Sequence, residues 1–443
     1  MNDNGSVKAP ILDKNPANFG SLCLGPYLTG FCQWVHKQKL TIDPNACLLF
    51  VVRDGYLLQQ VYDILYPRDT SVSHYALASR AAIHYSGIDS EAAVVQELSA
   101  CRNIGTVREA LLYQFHLLDL GSSGNSDSIV DSLLDDPKCE LSLAESEGLC
   151  FLEESVAGLK TEIASRARRH KDLYKNYLED IIGERYPLVV DIGYQGRTQL
   201  FFSQILGREV GGLYLVTHEG ARSVTKKAGP VLGFDGDFLP PKSSDSFVNE
   251  YRYFFEAALS SPQGSFLHFD PSGEPVHEPH LKSSRSSSIR ASIHKGTLQY
   301  ARNYYNEKKE GDVPPANGDS LKKFLTDPSP EDACLFSGLA FNDLFMGATG
   351  LYIVMPKSER ISKYALWIEG QQAADRYFQH IQKVGMAQTA LMALERSVIK
   401  HCLSKAHFAC FVTNRSAYLL ESDDPLLKVY GWLTVKRRKK PHC

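Results

Sequence analysis

At 443 residues, 43% of them hydrophobic, the chain has room for about two or three domains with real cores, which excludes a disordered or fibrous protein. A formal net charge of −3 excludes the global basic field of a nucleic-acid binder. No run of about 18 apolar residues crosses a bilayer, and the polar start MNDNGSVKAPILDKNPANFG lacks the cationic and apolar parts of a secretory signal, so a cytoplasmic protein is expected.

After a flexible start over residues 1–20, Gly25 to Lys39 carries apolar residues at helical spacing, with Phe31, Trp34 and Val35 on one core-facing stripe. Cys47 to Leu65, CLLFVVRDGYLLQQVYDIL, reads as a buried strand, a charged glycine turn of Arg53, Asp54 and Gly55, and an amphipathic helix. His74 to Ala82 has strand character ending in Ser79 and Arg80, and its position suits an adjacent strand of the same sheet. Residues 90 to 120 read as helices, 121 to 138 as a surface excursion, and Ser142 to Ile182 as helical with a solvated basic face.

Leu188 to Gln199, LVVDIGYQGRTQ, repeats the strand, turn and helix design: an apolar run, Asp191 at its end, Gly193 and Gly196 in the turn, and Thr198 opening a helix. Successive N–H groups in such a loop bind phosphate oxygens without a lysine. Gly212 to Thr217 is a further strand. Two units of one design suggest one sheet, and in an open α/β sheet the turns after the strands gather on one edge, so Arg53, Asp54, Asp191 and Gly196 are expected to line one crevice. The simpler reading of Arg53 and Asp54 is a helix-start acid beside a surface arginine.

Beyond residue 220 the pattern weakens. GFDGDFLPP reads as loop, Val248 to Leu259 as helix, and GSFLHFDPSGEPV as a hairpin turning at Pro271, Ser272 and Gly273. The serine-rich tract over 280–292 reads as a mobile linker. FSGLAFND, LYIVMP, the Trp367–Gly370 stretch and a long helix through Ile399 follow, and then a basic tail, KRRKK, beside Trp432. The expected division is a donor-binding α/β core over 21–270 with a helical insertion near 90–182. A mobile linker region follows over 271–320, a mainly helical completion over 321–430, and the tail over 431–443. The ten cysteines form no CxxC pair and the histidines no metal spacing, so reduced buried thiols and no protein-ligated metal are expected. The tail suits either a solubilising role or peripheral contact with anionic lipid.

Phosphoribosyltransferases hold ribose 5-phosphate with a similar loop, an apolar run and acidic residues followed by TGxT. Here Gly196 falls on the glycine of that pattern and Asp191 on its second acid, while Val190 and Gln195 replace the first acid and the first threonine. In order along the chain, GPYLTGFCQWV, LLFVVRDGYLL, Ser79-Arg80, VVDIGYQGRTQ, FEAALSSPQGS and WIEG resemble the glycan phosphoribosyltransferase module of bacterial ribofuranosyltransferases of polysaccharide biosynthesis. The likeness runs from about Gly25 to Gly370.

It implies a phosphoribosyltransferase-like, mostly parallel α/β sheet with large helical additions. It also implies an enzyme that transfers the 5-phosphoribosyl group of phosphoribosyl pyrophosphate, with magnesium bound to the donor, to a hydroxyl of a lipid-linked or growing glycan. Asp54 is the candidate base, Asp191 the holder of ribose hydroxyls or the metal, and Arg53 a partner of the leaving group, with exchange of the two aspartates left open. Gly55, Tyr56, Ser79, Arg80, Gly193, Tyr194, Gln195, Gly196, Arg197 and Thr198 are the candidate donor contacts. Glu256, Trp367 and Glu369 are candidate acceptor contacts, with a packing role the commoner one for such a tryptophan. The family's usual phosphatase nucleophile strand has no counterpart here, Asp235 and Asp237 lying in a loop, so a separate phosphatase partner is expected. A base-salvage enzyme, a nucleotide-sugar glycosyltransferase and a non-catalytic sensor or assembly protein of the same fold are the rival readings.

Overall fold

The computed structural model describes residues 10–382 apart from 102, 118–126, 242, 271, 279–283, 311–317, 344–346 and 357–364. The chain opens with α1 (Pro16–Phe19), a π-helical turn (Gly20–Leu24) and α2 (Gly25–Ile42). Then come β1 (Cys47–Val51), α3 (Gly55–Leu65) and β2 (Ser73–Ala76). A helical insertion follows with α4 (Arg80–Gly87), α5 (Glu91–Ser99), α6 (Val107–Glu109), α7 (Asp127–Leu134) and the 37-residue α8 (Ser146–Ile182). The sheet resumes with β3 (Pro187–Asp191), α9 (Arg197–Leu206), β4 (Gly211–Tyr214), α10 (Arg222–Thr225) and β5 (Val231–Gly233). The remaining elements are α11 (Phe247–Glu250), α12 (Arg252–Leu259), β6 (Phe266–Phe269), β7 (Pro275–His277), α13 (Ser284–Glu310), α14 (Asp319–Thr326), α15 (Pro330–Cys334), β8 (Ala340–Asp343), β9 (Ala348–Tyr352) and α16 (Ile368–Gln382).

Five strands form one parallel sheet in the order β2-β1-β3-β4-β5. The strands are apolar at nearly every position because both faces are covered, as a parallel sheet requires. Alternate residues divide between two cores. Leu48, Phe50, Leu188, Val190 and Leu213 pack with Phe31 and Val35 of α2 and Leu57 and Val61 of α3. Leu49, Val51, Val189 and Tyr214 pack with Tyr174, Leu178 and Ile182 of α8 and Phe202 of α9. Each such side chain, fully buried, contributes about 1.5–3 kcal/mol. A third core, with Ile88, Val94, Leu111, Leu152 and Ile163, belongs to the helical insertion.

The expected α/β class, the insertion and the Ser272-Gly273 hairpin turn are present; β6 pairs antiparallel with β7, and Gly273 has φ +90°. Several expectations are corrected. The stretch read as a mobile linker holds α13, whose Ile289, Ile293, Thr297, Ala301 and Tyr304 are buried at spacings of three and four, so an amphipathic stripe lies under the serines. The surface excursion contains α7, with Val130 in the core. β5 is a three-residue strand inside a stretch read as loop, too short for alternation to reveal. The C-terminal part carries the β8–β9 pair besides helices. Among the described residues no helix is long and apolar enough to cross a membrane. The basic tail, Trp432 and the helix beyond 382 lie outside the described residues.

Candidate functional site

β1 and β3 are neighbours with Phe50 opposite Val190, which sets Val51 beside Asp191. β1 continues outward to β2, whereas β3 continues in the other direction to β4, so the turns after β1 and β3 diverge at the sheet's switch point. In the first turn Gly55 starts α3 against the strand it has just left; a Cβ there would lie 2.6 Å from the Phe50 carbonyl carbon. In the second, Gly193 has φ +143°, and a Cβ would stand 2.2 Å from the Val216 carbonyl oxygen. Gly196, at φ +66°, is the N-cap of α9 and supplies no capping side chain. The peptide bonds Val52–Arg53 and Gly193–Tyr194 are cis.

Tyr194 carries the second turn towards the residues after β4 and towards α12. Its ring stacks on His218 at 5.0 Å, and its hydroxyl donates to Glu256 Oε1 at 3.3 Å. Burial raises the phenol's pKa first, and the carboxylates of Glu256, Asp54 and Asp191 raise it further against Arg252. Three carboxylates from three distant segments therefore act on one phenol. Asp191 also accepts from the Ile192 N–H at 2.8 Å.

The cations converge on the same rim. Desolvation opposes charge on Arg53, yet Asp54, Glu278, Asp343 and Glu256 outweigh it, and its pKa lies above the ordinary value. Its Nη1 donates to the Asn342 carbonyl at 2.6 Å, and its guanidinium lies 5.9 Å from the Phe341 ring centre. Arg80 begins α4 after Ser79, whose hydroxyl caps the helix by accepting from Ala82 N–H at 3.0 Å. Its guanidinium pairs with Asp343 at 2.5 Å, the arginine side chain 42% exposed and the aspartate 7%. Desolvation works against this cation too, and Asp343, Glu256 and Asp54 more than offset it. Arg252 lies over the Tyr253 ring at 4.8 Å, one helical turn before Glu256. Arg290 of α13 is pushed down to about 10, by burial first and then by Arg53. Tyr56 meets Tyr75 edge-on at 5.7 Å beside this group.

The second turn reaches outward along α9. Arg197 is exposed and donates to Gln195 Oε1 at 3.2 Å, and Thr198 is half-buried in the first helical turn. Arg53, Asp54, Arg80, Asp191, Tyr194 and Glu256 are thus brought together around the ends of β1 and β3. Arg53 is tied to β8 besides lying in the field of the neighbouring Asp54 carboxylate. Trp367 is placed elsewhere: it is fully buried, donates from Nε1 to the Leu325 carbonyl at 2.9 Å, and packs edge-on against Phe254 and Phe336. Both ring faces are enclosed by protein, so no sugar stacks there. Glu369 sits in the first turn of α16, which packs on α15.

Four members of the cluster escape a reading of the sequence: Asp343, Arg252, Glu278 and Arg290. Asp343 meets Arg80 across 263 positions of chain, a distance over which no local pattern speaks. The spacing of Arg252 and Glu256 on a helix was visible, but not the direction in which that face points. Among the described residues no three His, Cys, Asp or Glu side chains form a ready-made metal cage. Compared with known proteins, the chain matches no family model and no curated protein.

Proposed function

We propose that the chain is a phosphoribosyltransferase-like glycosyltransferase, which moves the 5-phosphoribosyl group of phosphoribosyl pyrophosphate to a sugar hydroxyl of a glycan acceptor. The observation that carries this reading is the position of the Asp54 and Asp191 turns after neighbouring strands, on either side of the sheet's switch point. An activated pentose needs this mixture: anion-binding backbone and arginines for its phosphates, and carboxylates for its hydroxyls and for proton removal.

In this reading Gly193 to Thr198 cradle the 5-phosphate, at the start of a helix that no side chain caps. Asp191 holds the ribose hydroxyls. Arg53 and Arg80 hold the departing diphosphate, stabilising charge as the bond at the anomeric carbon breaks. Asp54 takes the proton of the attacking hydroxyl, and Tyr194 links its turn to Glu256. Magnesium would come with the diphosphate, and Asp191 is the protein carboxylate that would hold it there. Bound there, the ion would neutralise charge on the leaving group. The product keeps its 5-phosphate, which a separate phosphatase removes, and a lipid-linked acceptor sets the reaction at the inner face of a membrane.

The experiment is pyrophosphate release from phosphoribosyl pyrophosphate in the presence of glycan acceptors. Asp54→Asn and Asp191→Asn are each expected to abolish release with circular dichroism unchanged. Undiminished release in both variants, or a wild-type protein inert toward every acceptor while still binding the donor, rejects the transferase in favour of another enzyme or a sensor.

A further inference from the structure

Both arginines assigned to the diphosphate are held by three consecutive residues of β8. The Phe341 ring lies beside the Arg53 guanidinium at 5.9 Å, the Asn342 carbonyl accepts from Arg53 at 2.6 Å, and the Asp343 carboxylate pairs with Arg80 at 2.5 Å. A carbonyl oxygen and a carboxylate are the groups that phosphate oxygens imitate on a guanidinium. Asp54 and Glu256 act on the same two arginines and Glu278 on Arg53, so with Asp343 the cluster already holds four carboxylates around them. A diphosphate cannot share Arg80 with Asp343 at that separation without strong repulsion between like charges. One anion must leave when the other enters.

Asp343, the last residue of β8, is the anion placed to leave. The strand has four residues and a single partner, β9, and stands outside the five-stranded sheet. Its Ala340 is buried and its Phe341 lies in the main core, so the strand stays docked there and only its Asp343 end has to move. Its first residue, Ala340, is anchored on α13, where its N–H donates to Ser286 Oγ at 3.0 Å, whereas Asp343 reaches across to the rim. Arg80 remains 42% exposed on the side that Asp343 does not cover.

We infer that Asp343 occupies the seat of the donor's diphosphate, so that Arg53 and Arg80 form one anion subsite which the end of β8 fills until the ligand displaces it. The inference rests on the transferase reading for the identity of the anion. Its test uses inorganic pyrophosphate with magnesium, without acceptor and without turnover.

Calorimetry on the full chain is expected to show Asp343→Asn binding pyrophosphate about five- to tenfold more tightly than wild type, and Arg80→Gln about tenfold more weakly. Hydrogen exchange on the wild-type protein is expected to show faster exchange at the Asp343 end of β8 once pyrophosphate is bound. The exchange measurement decides the matter where Asp343→Asn fails to fold. Equal or weaker binding by a folded Asp343→Asn, added protection of β8, or no pyrophosphate binding by the wild type overturns the inference. Pyrophosphate that displaces the end of β8 in a protein inert toward phosphoribosyl pyrophosphate leaves the inference standing and rejects the transferase. Donor turnover with β8 unmoved does the reverse.

Discussion

Gly193 shows how a single residue sets the site. Its φ of +143° is open to glycine and almost closed to other residues, and an added methyl would meet the Val216 carbonyl at 2.2 Å. Gly193→Ala is expected to lower stability by about 1–3 kcal/mol, read as a shifted urea midpoint with an unchanged slope, and to displace Asp191 and Tyr194 with the turn. Tyr194→Phe separates chemistry from packing at the neighbouring position. The ring on His218 is kept and only the hydroxyl on Glu256 is lost, so stability is expected to change by about 1 kcal/mol or less while turnover falls. Equal turnover would leave Tyr194 a packing residue. Arg53, Asp54, Arg80 and Asp191 were legible because charged residues at the end of an apolar strand have few structural uses. Glu256 was legible only as a carboxylate in an aromatic helix, and Asp343 not at all, because nothing near them in the chain hints at their partners.

Among the elements, α13 departs furthest from its appearance in sequence. A serine-rich tract suggests a linker, but helix formation depends on one buried stripe, and Ile289, Ile293 and Ala301 supply it. Two glycines let this helix touch the N-terminal turns: a Cβ on Gly296 would lie 1.8 Å from the Ala17 carbonyl, and one on Gly20 2.1 Å from the Ile293 carbonyl. Gly296→Val is therefore expected to undock α13 from α1, seen as new proteolytic cleavage within residues 284–310, with loss of the Arg290 contacts to Ala257 and Ala340 beside the site. Trp367 makes the complementary point. Its place among Phe254, Phe324 and Phe336 predicts that Trp367→Ala costs about 3–5 kcal/mol in chemical denaturation, whereas a residue serving only an acceptor would alter KM and leave stability alone.

For the whole molecule, a seam of buried histidines joins the helical insertion to the rest. His116 and His268 approach through their Nδ1 atoms at 3.2 Å, and Tyr85 stacks on both His116 and His170. Burial lowers the pKa of His116 far below 6.5, of His170 to about 3, and of His294, which hydrogen-bonds the Ala258 carbonyl, to about 4. The unfolded chain therefore binds more protons than the folded one below pH 6.5. Stability is complete above that value and falls as the pH drops towards 4 and 3, at about 1.4 kcal/mol per pH unit for each such histidine. Burial shifts Asp63, Asp235 and Glu278 upward, an effect of opposite sign, so the histidine share is isolated by a variant. Urea unfolding between pH 7 and 5 is expected to show a shallower slope for His294→Gln than for wild type, and identical slopes would mean that His294 takes no part. The order of residues alone carried the α/β class, the two strand-turn-helix units and the strand-end charges, because apolar periodicity and glycine turns are local properties of a chain. Tertiary structure alone decided that the two turns share a switch point, that β8 grips both arginines and that the tryptophan is core, because each of these depends on contacts between segments far apart in the chain, where geometry and not local preference selects the partner.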